Sequence, residues 1–146
     1  MVVFEVGVIS RAGLPVIHVD FRPGVRGDPL ITAGFLTALQ QFVKTAFSDE
    51  TQSFSMKKFS IFFSKVILIK DQEEASFYVI CDYDTDHKVI QQRIYNITKR
   101  LKETFPTLDD PHTVDTPQAK EFQEFLIKEF ADLKMRPAER ARRLFG

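Results

Sequence analysis

Along this chain the spacing of apolar positions changes several times, and each change predicts an element. Val2, Phe4, Val6 and Val8 alternate with Val3, Glu5, Gly7 and Ile9, the two-residue period of a strand. Residues 10–13, Ser-Arg-Ala-Gly, supply a turn. Beyond it Ile17, Val19 and Phe21 alternate with Val16, His18 and Asp20, the partner strand of a hairpin. Both faces of the first strand are largely apolar, so a sheet covered on both sides is expected. Arg22 and residues 23–27 then break the pattern with Pro and Gly.

Asp28-Pro29 is a helix start, a capping carboxylate followed by a residue whose missing N–H costs nothing in the first turn. The helix is expected over residues 29–47. At 3.6 residues per turn, Ile31, Phe35, Ala38, Leu39, Phe42 and Ala46 form a stripe, expected to face the sheet. Leu36, Val43 and Phe47 widen the apolar arc to about half the circumference, more than packing on a sheet needs. This flank is a candidate contact for a partner, with the loop at residues 22–27 or the C-terminal tail as alternative cover.

Three further strands are expected: a short one at residues 53–56, a long one at 59–69 with Ser64-Lys65 as a kink or bulge, and one at 76–83. If the short strand lies at the sheet edge, Phe54 and Met56 extend the candidate partner surface. A second helix starts near Asp84-Thr85-Asp86, capped by Asp84 or Thr85, and carries Ile90, Ile94, Ile97, Leu101 and Phe105 before Pro106 ends it. Thr116-Pro117 opens a third helix, with Phe122, Phe125, Leu126, Phe130 and Leu133 on one side. Pro137 marks a short tail helix over residues 137–145. The order is β-β-α-β-β-β-α-α plus the tail.

At 146 residues the chain is expected to form one domain. Lys plus Arg and Asp plus Glu both number 20, so a surface that holds nucleic acid by neutralising phosphates is not expected. A single Cys cannot form an internal disulfide, and Cys81 in mid-strand reads as a small buried hydrophobe. The sequence has no basic-then-apolar leader, acylation signal or membrane-length apolar run, so a soluble, cytoplasmic protein is expected. The 15 Phe with no Trp are explained first by layers of core, with three or four left on faces the sheet cannot cover.

No pattern of catalytic chemistry emerges, and no catalytic, cofactor-binding or metal-ligating residue is assigned. His18, His87 and His112 form no i, i+4 pair and there is no Cys-x-x-Cys. Residues 82–86 resemble the start of a calcium loop, but His87 stands where that loop needs Gly and Arg93 where it needs Glu. Phosphate-binding glycine loops and nucleophile elbows are missing. Asn96-Ile97-Thr98 matches a glycosylation triplet but falls on a helix. The tail gathers Lys134, Arg136, Arg140, Arg142 and Arg143 against Glu139. Its plain reading is a solvated helix end, and its functional reading is a basic arm giving weak peripheral contact with an acidic partner or membrane.

The phrase ISRAGLPVIHVDF, the N-terminal hairpin followed by a long helix, and the meander MKKFSIFFSKVILI…SFYVICDYDTD together resemble the longin/roadblock superfamily. Two helices after the meander are closer to the longin branch, which includes clathrin-adaptor small subunits and stand-alone archaeal chains. The resemblance implies an α+β fold over residues 1–133, a five-stranded antiparallel sheet of order 2-1-5-4-3 with one helix on one face and two on the other, and residues 134–146 as a basic tail helix. It further implies a non-enzymatic interaction module without cofactors, an adaptor or regulatory subunit acting with a small GTPase or a sister longin/roadblock chain, as a homo- or heterodimer in traffic-like or signalling processes. The alternatives from other classes are a profilin-type actin-binding module and a small-molecule sensor with a pocket between sheet and helix.

Overall fold

The computed structural model describes residues 2–22, 28–48, 52–68, 74–105 and 116–133. In chain order these form β1 (Val3–Ile9), β2 (Pro15–Asp20), α1 (Pro29–Phe47), β3 (Ser53–Ser55), β4 (Phe59–Ile67), β5 (Glu74–Asp82), α2 (His87–Thr104) and α3 (Pro117–Glu129). The strands make one antiparallel sheet of order β2-β1-β5-β4-β3, as expected. The tail helix and its five cations lie outside the described residues.

The turn at residues 10–13 is a hairpin bend in which Gly13 N donates to Ser10 O at 2.9 Å and Ser10 N to Leu14 O at 2.9 Å. Gly13 sits at φ +80°, the left-handed region that closes a three-residue hairpin loop. A Cβ there would also stand 3.2 Å from Thr37, so the bend rests against α1.

One core lies between the sheet and the pair α2 and α3. It contains Val3, Val6, Val8, Phe77 and Val79 from the sheet, Ile90, Ile94, Ile97 and Leu101 from α2, and Phe122, Leu126 and Phe130 from α3. The expected stripes of these two helices are therefore the buried ones. Burying each such branched side chain contributes about 1.5–3 kcal/mol. Edge-on ring contacts fill the layer, Phe105 on Phe122 at 5.7 Å and Phe21 on Phe130 at 6.3 Å. The second core is smaller: Ala33 and Leu36 of α1 sit on Ile9, Ile61, Phe63 and Tyr78 of the opposite sheet face.

Four expectations need correction. The sheet-facing side of α1 is set differently: Ala33 and Leu36 are buried with Leu39 packed beside them, while Ile31, Phe35 and Phe42 of the expected stripe are exposed. Tyr78 and Phe63 already stand up from the sheet here, so the helix packs through its smaller side chains and turns the Phe row outward. Leu36 therefore belongs to the core and leaves the candidate partner surface. No bulge occurs at Ser64-Lys65, where β4 pairs with β5 in continuous register; the irregularities lie in β1, at Val3/Glu5 and Val8/Ile9. Nor is α2 capped by Asp84 or Thr85. Asp86 takes the capping role, accepting from Lys88 N at 2.9 Å.

Asp82 explains the supposed calcium sequence. Its buried carboxylate accepts from Val2 N at 2.8 Å and from Thr85 Oγ1 at 2.9 Å, tying the start of β1 to the turn before α2. Thr116 caps α3 through a bond from Ala119 N at 3.2 Å, as its Thr-Pro sequence predicted.

Candidate functional site

Nineteen residues long, α1 carries Lys44 as its single charged side chain. Its outward stripe is Ile31, Phe35 and Phe42, at exposures of 71%, 50% and 62%, and Phe47 at the helix end, on the adjoining flank, is 69% exposed. The rings of Phe42 and Phe47 meet edge-on at 6.2 Å. A surface helix ordinarily turns its polar face to water; this one presents a second apolar face.

The apolar surface continues onto the sheet edge. Strand β3 is the outermost strand, pairing only with β4 through Ser53↔Phe62, Phe54↔Ile61 and Ser55↔Ser60. Phe54 and Met56 are exposed there. Between this edge and α1 runs a groove of about 270 Å³, walled by Ile31, Phe35, Met56 and Phe59, with Leu36 and Ile61 deeper and Arg22 at its border. Of the partner residues expected from the sequence, the structure brings Phe47, Phe54 and Met56 to the surface and leaves Val43 half-buried. Phe35 and Phe42, assigned to the sheet side by their spacing, are the ones that were missed. Their signal was the width of the apolar arc, which is wider than the sheet covers.

Beneath α1 lies a polar cluster that no sequence motif announced. Strand register sets Glu5 opposite Asp20 and Gly7 opposite His18, so side chains from β1 and β2 converge on one face. Glu5 is 1% exposed and accepts from Tyr78 Oη at 2.9 Å. His18 Nε2 stands 3.1 Å from Glu5 Oε1, close but not aligned as a hydrogen bond. Arg22 grips both oxygens of Asp20, Nε to Oδ1 at 3.0 Å and Nη2 to Oδ2 at 2.8 Å, and lies 3.4 Å from Glu5.

The ligand atoms of Glu5, His18 and Asp20 lie within 4.8 Å of one another, close enough to hold a metal ion. The Arg22 guanidinium, however, already supplies positive charge to both carboxylates, so the cluster fits a structural pin better than a metal centre. The bond to Asp20 raises the Arg22 pKa further, and burial beside Glu5 pushes the Tyr78 phenol well above its usual range. Of these groups Arg22 alone borders the groove described above.

No helix among the described residues is long and apolar enough to cross a membrane. No protein-family profile matches the sequence, and no curated protein matches it. Solved structures do match in fold. One is Myxococcus xanthus MglB, with a TM-score of 0.50 and 18% identity, covering 69% of this chain and 81% of that chain. Another is MglB with a tetrameric arrangement, at a TM-score of 0.51 and 14% identity, covering 69% of this chain and 76% of that one. Together with the strand order and helix placement, these similarities show that the chain shares the fold of these MglB structures.

Proposed function

We infer that this chain is a non-enzymatic protein-interaction module, an adaptor or regulatory subunit that acts with a small GTPase or with a sister chain of the same fold. The observation that carries this reading is the outward row of α1, Ile31, Phe35, Phe42 and Phe47, on a helix with one charge. Such a face is unfavourable in water and becomes favourable when another protein covers it. The exposed Phe54 and Met56 at the sheet edge extend the same surface and offer backbone pairing as well. The similarity in fold to MglB, one structure of which has a tetrameric arrangement, supports assembly with other chains. On this reading the protein works in the cytoplasm, in signalling or traffic-like processes, with the basic residues of 134–146 adding weak peripheral contact.

The test is direct. The full chain is examined by sedimentation velocity for self-association and by biosensor binding to purified small GTPases of its source organism in both nucleotide states. Binding or self-association that is lost in Phe35→Asp/Phe42→Asp, with nucleotide exchange or hydrolysis measured on any GTPase bound, supports the reading. A chain that stays monomeric and binds none of them, or whose associations ignore the substitutions, overturns it.

A further inference from the structure

The chain passes out of the described residues at Leu133, close to the apolar groove. Leu133 is buried, and its carbonyl accepts from Val3 N at 2.8 Å, at the start of β1. Register puts Val3 beside Cys81 and Phe59 beside Asp82, so this is the end of the sheet where β4 begins. The Phe4 ring meets Phe59 edge-on at 5.4 Å, and Phe59 is itself a wall of the groove between α1 and β3. Residues 134–146 follow, a reach of roughly 40 Å when extended, enough to pass round the sheet end to the α1 face.

The sequence of that segment is two-sided. At helical spacing from Pro137, Ala138, Ala141, Leu144 and Phe145 fall on one side, and Glu139, Arg140, Arg142 and Arg143 on the other. A segment this short gains little from helix formation alone and needs an apolar surface to lie on. The groove supplies one: Ile31, Phe35 and Met56 are exposed along it, over Leu36 and Ile61. Residues 23–27, also outside the described residues and adjoining Arg22, carry a single branched aliphatic side chain, Val25, and match that surface less well.

We propose that the C-terminal segment docks its Leu144–Phe145 side into the groove between α1 and β3 of its own chain and shields part of the partner surface. The apolar side chains of segment and groove leave water together, and the side with Arg140, Arg142 and Arg143 stays in it. Because the segment is tethered, it meets the groove at a high effective concentration, so a modest contact suffices. A partner that takes the α1 surface then has to displace the segment, which makes its binding conditional. That consequence rests on the partner-binding reading above; the contact itself does not.

The experiment attaches a nitroxide spin label to the full chain through Gly146→Cys; Cys81 is buried and does not compete for the reagent. The amide NMR signals of Ile31, Phe35, Met56 and Phe59 should lose most of their intensity and recover it in Leu144→Asp/Phe145→Asp, with circular dichroism checking that the variant is folded. Mixing spin-labelled chains with label-free, isotope-enriched ones separates contact within a chain from contact between chains. Quenching that is absent from these amides, that persists in the folded variant, or that crosses between chains overturns the proposal. A GTPase or sister chain that binds the parent should bind the same variant several-fold more tightly, and unchanged affinity overturns the shielding. The quenching is read without any partner, so its failure leaves the partner-binding reading standing, and failure to find a partner leaves the docked contact standing.

Discussion

The ring of Tyr78 occupies the space that a side chain at Gly7 would fill: a Cβ on Gly7 would stand 2.7 Å from Tyr78 Cε1 and Oη. The absent side chain lets the phenol lie across β1 and reach the buried Glu5 carboxylate. Gly7→Ala is therefore expected to cost about 1–3 kcal/mol, because the ring is held by α1 above and cannot swing away. Tyr78→Phe removes a donor from a buried carboxylate and is expected to cost about 1–3 kcal/mol as well. Urea unfolding checks both: the midpoints should fall while the slopes stay unchanged.

The two faces of α1 should respond oppositely to substitution. Leu36→Ala empties a core position and should lose about 2–5 kcal/mol of stability. Phe35→Asp and Phe42→Asp change exposed positions, so they should leave unfolding within about 0.5 kcal/mol of the parent while abolishing association. Thermal unfolding and sedimentation on the same samples separate the two effects. Loss of fold in either Asp variant would mean that the outer row is structural.

Arg93 joins α2 to the end of α3 by a fork onto Asp132, at 2.7 and 2.8 Å, and by a bond to the Glu129 carbonyl at 2.7 Å. The Arg93 bond lowers the Asp132 pKa below its ordinary 3.8. A lowered carboxylate pKa stabilises the fold fully above the ordinary value and loses that contribution as pH falls through the lower one. Asp132 is mostly exposed, so the effect is screened to about 0.2–1 kcal/mol. Asp132→Asn should be less stable than the parent near neutral pH, and urea titrations should show the difference closing in strong acid.

Cys81 is fully buried in β5, and burial raises its pKa to about 11. Its Sγ donates to the Ser60 carbonyl at 3.5 Å. A disulfide-exchange reagent at mildly alkaline pH should leave the native thiol unmodified and label it fully once the chain is unfolded. Rapid labelling of the native protein would show that β5 opens far more readily than its central place in the sheet implies.

Much of the architecture was legible before any coordinates. Period-two runs located the strands, and Asp-Pro and Thr-Pro located the starts of α1 and α3, because capping chemistry is local and needs only neighbours in the chain. Ile90, Ile94, Ile97 and Leu101 named the buried face of α2 without ambiguity, since its other faces are polar. In α1 the same reasoning found an arc apolar on two sides but put Ile31, Phe35 and Phe42 toward the sheet, where Ala33 and Leu36 pack instead. Periodicity measures the angle between residues, and the shape of the surface beneath decides which arc fits. Here that surface was raised by Tyr78 and Phe63, two residues more than thirty positions from the stripe's first member in one case and more than forty in the other.

The polar features divide in the same way. Local signals read the Gly13 bend and the α3 cap correctly, while the α2 cap was placed one or two residues early because several capping residues stand in a row. The Glu5–His18–Asp20–Arg22 cluster had no sequence signature at all. Its members come together through strand register, a relation between distant segments that spacing along a chain does not encode. What this sequence determined by itself was the kind and order of the described elements and the starts of α1 and α3, through short-range sterics and capping. Tertiary packing alone decided which apolar face of α1 meets water and which charges share a site, because those outcomes depend on shapes assembled from all of the elements at once.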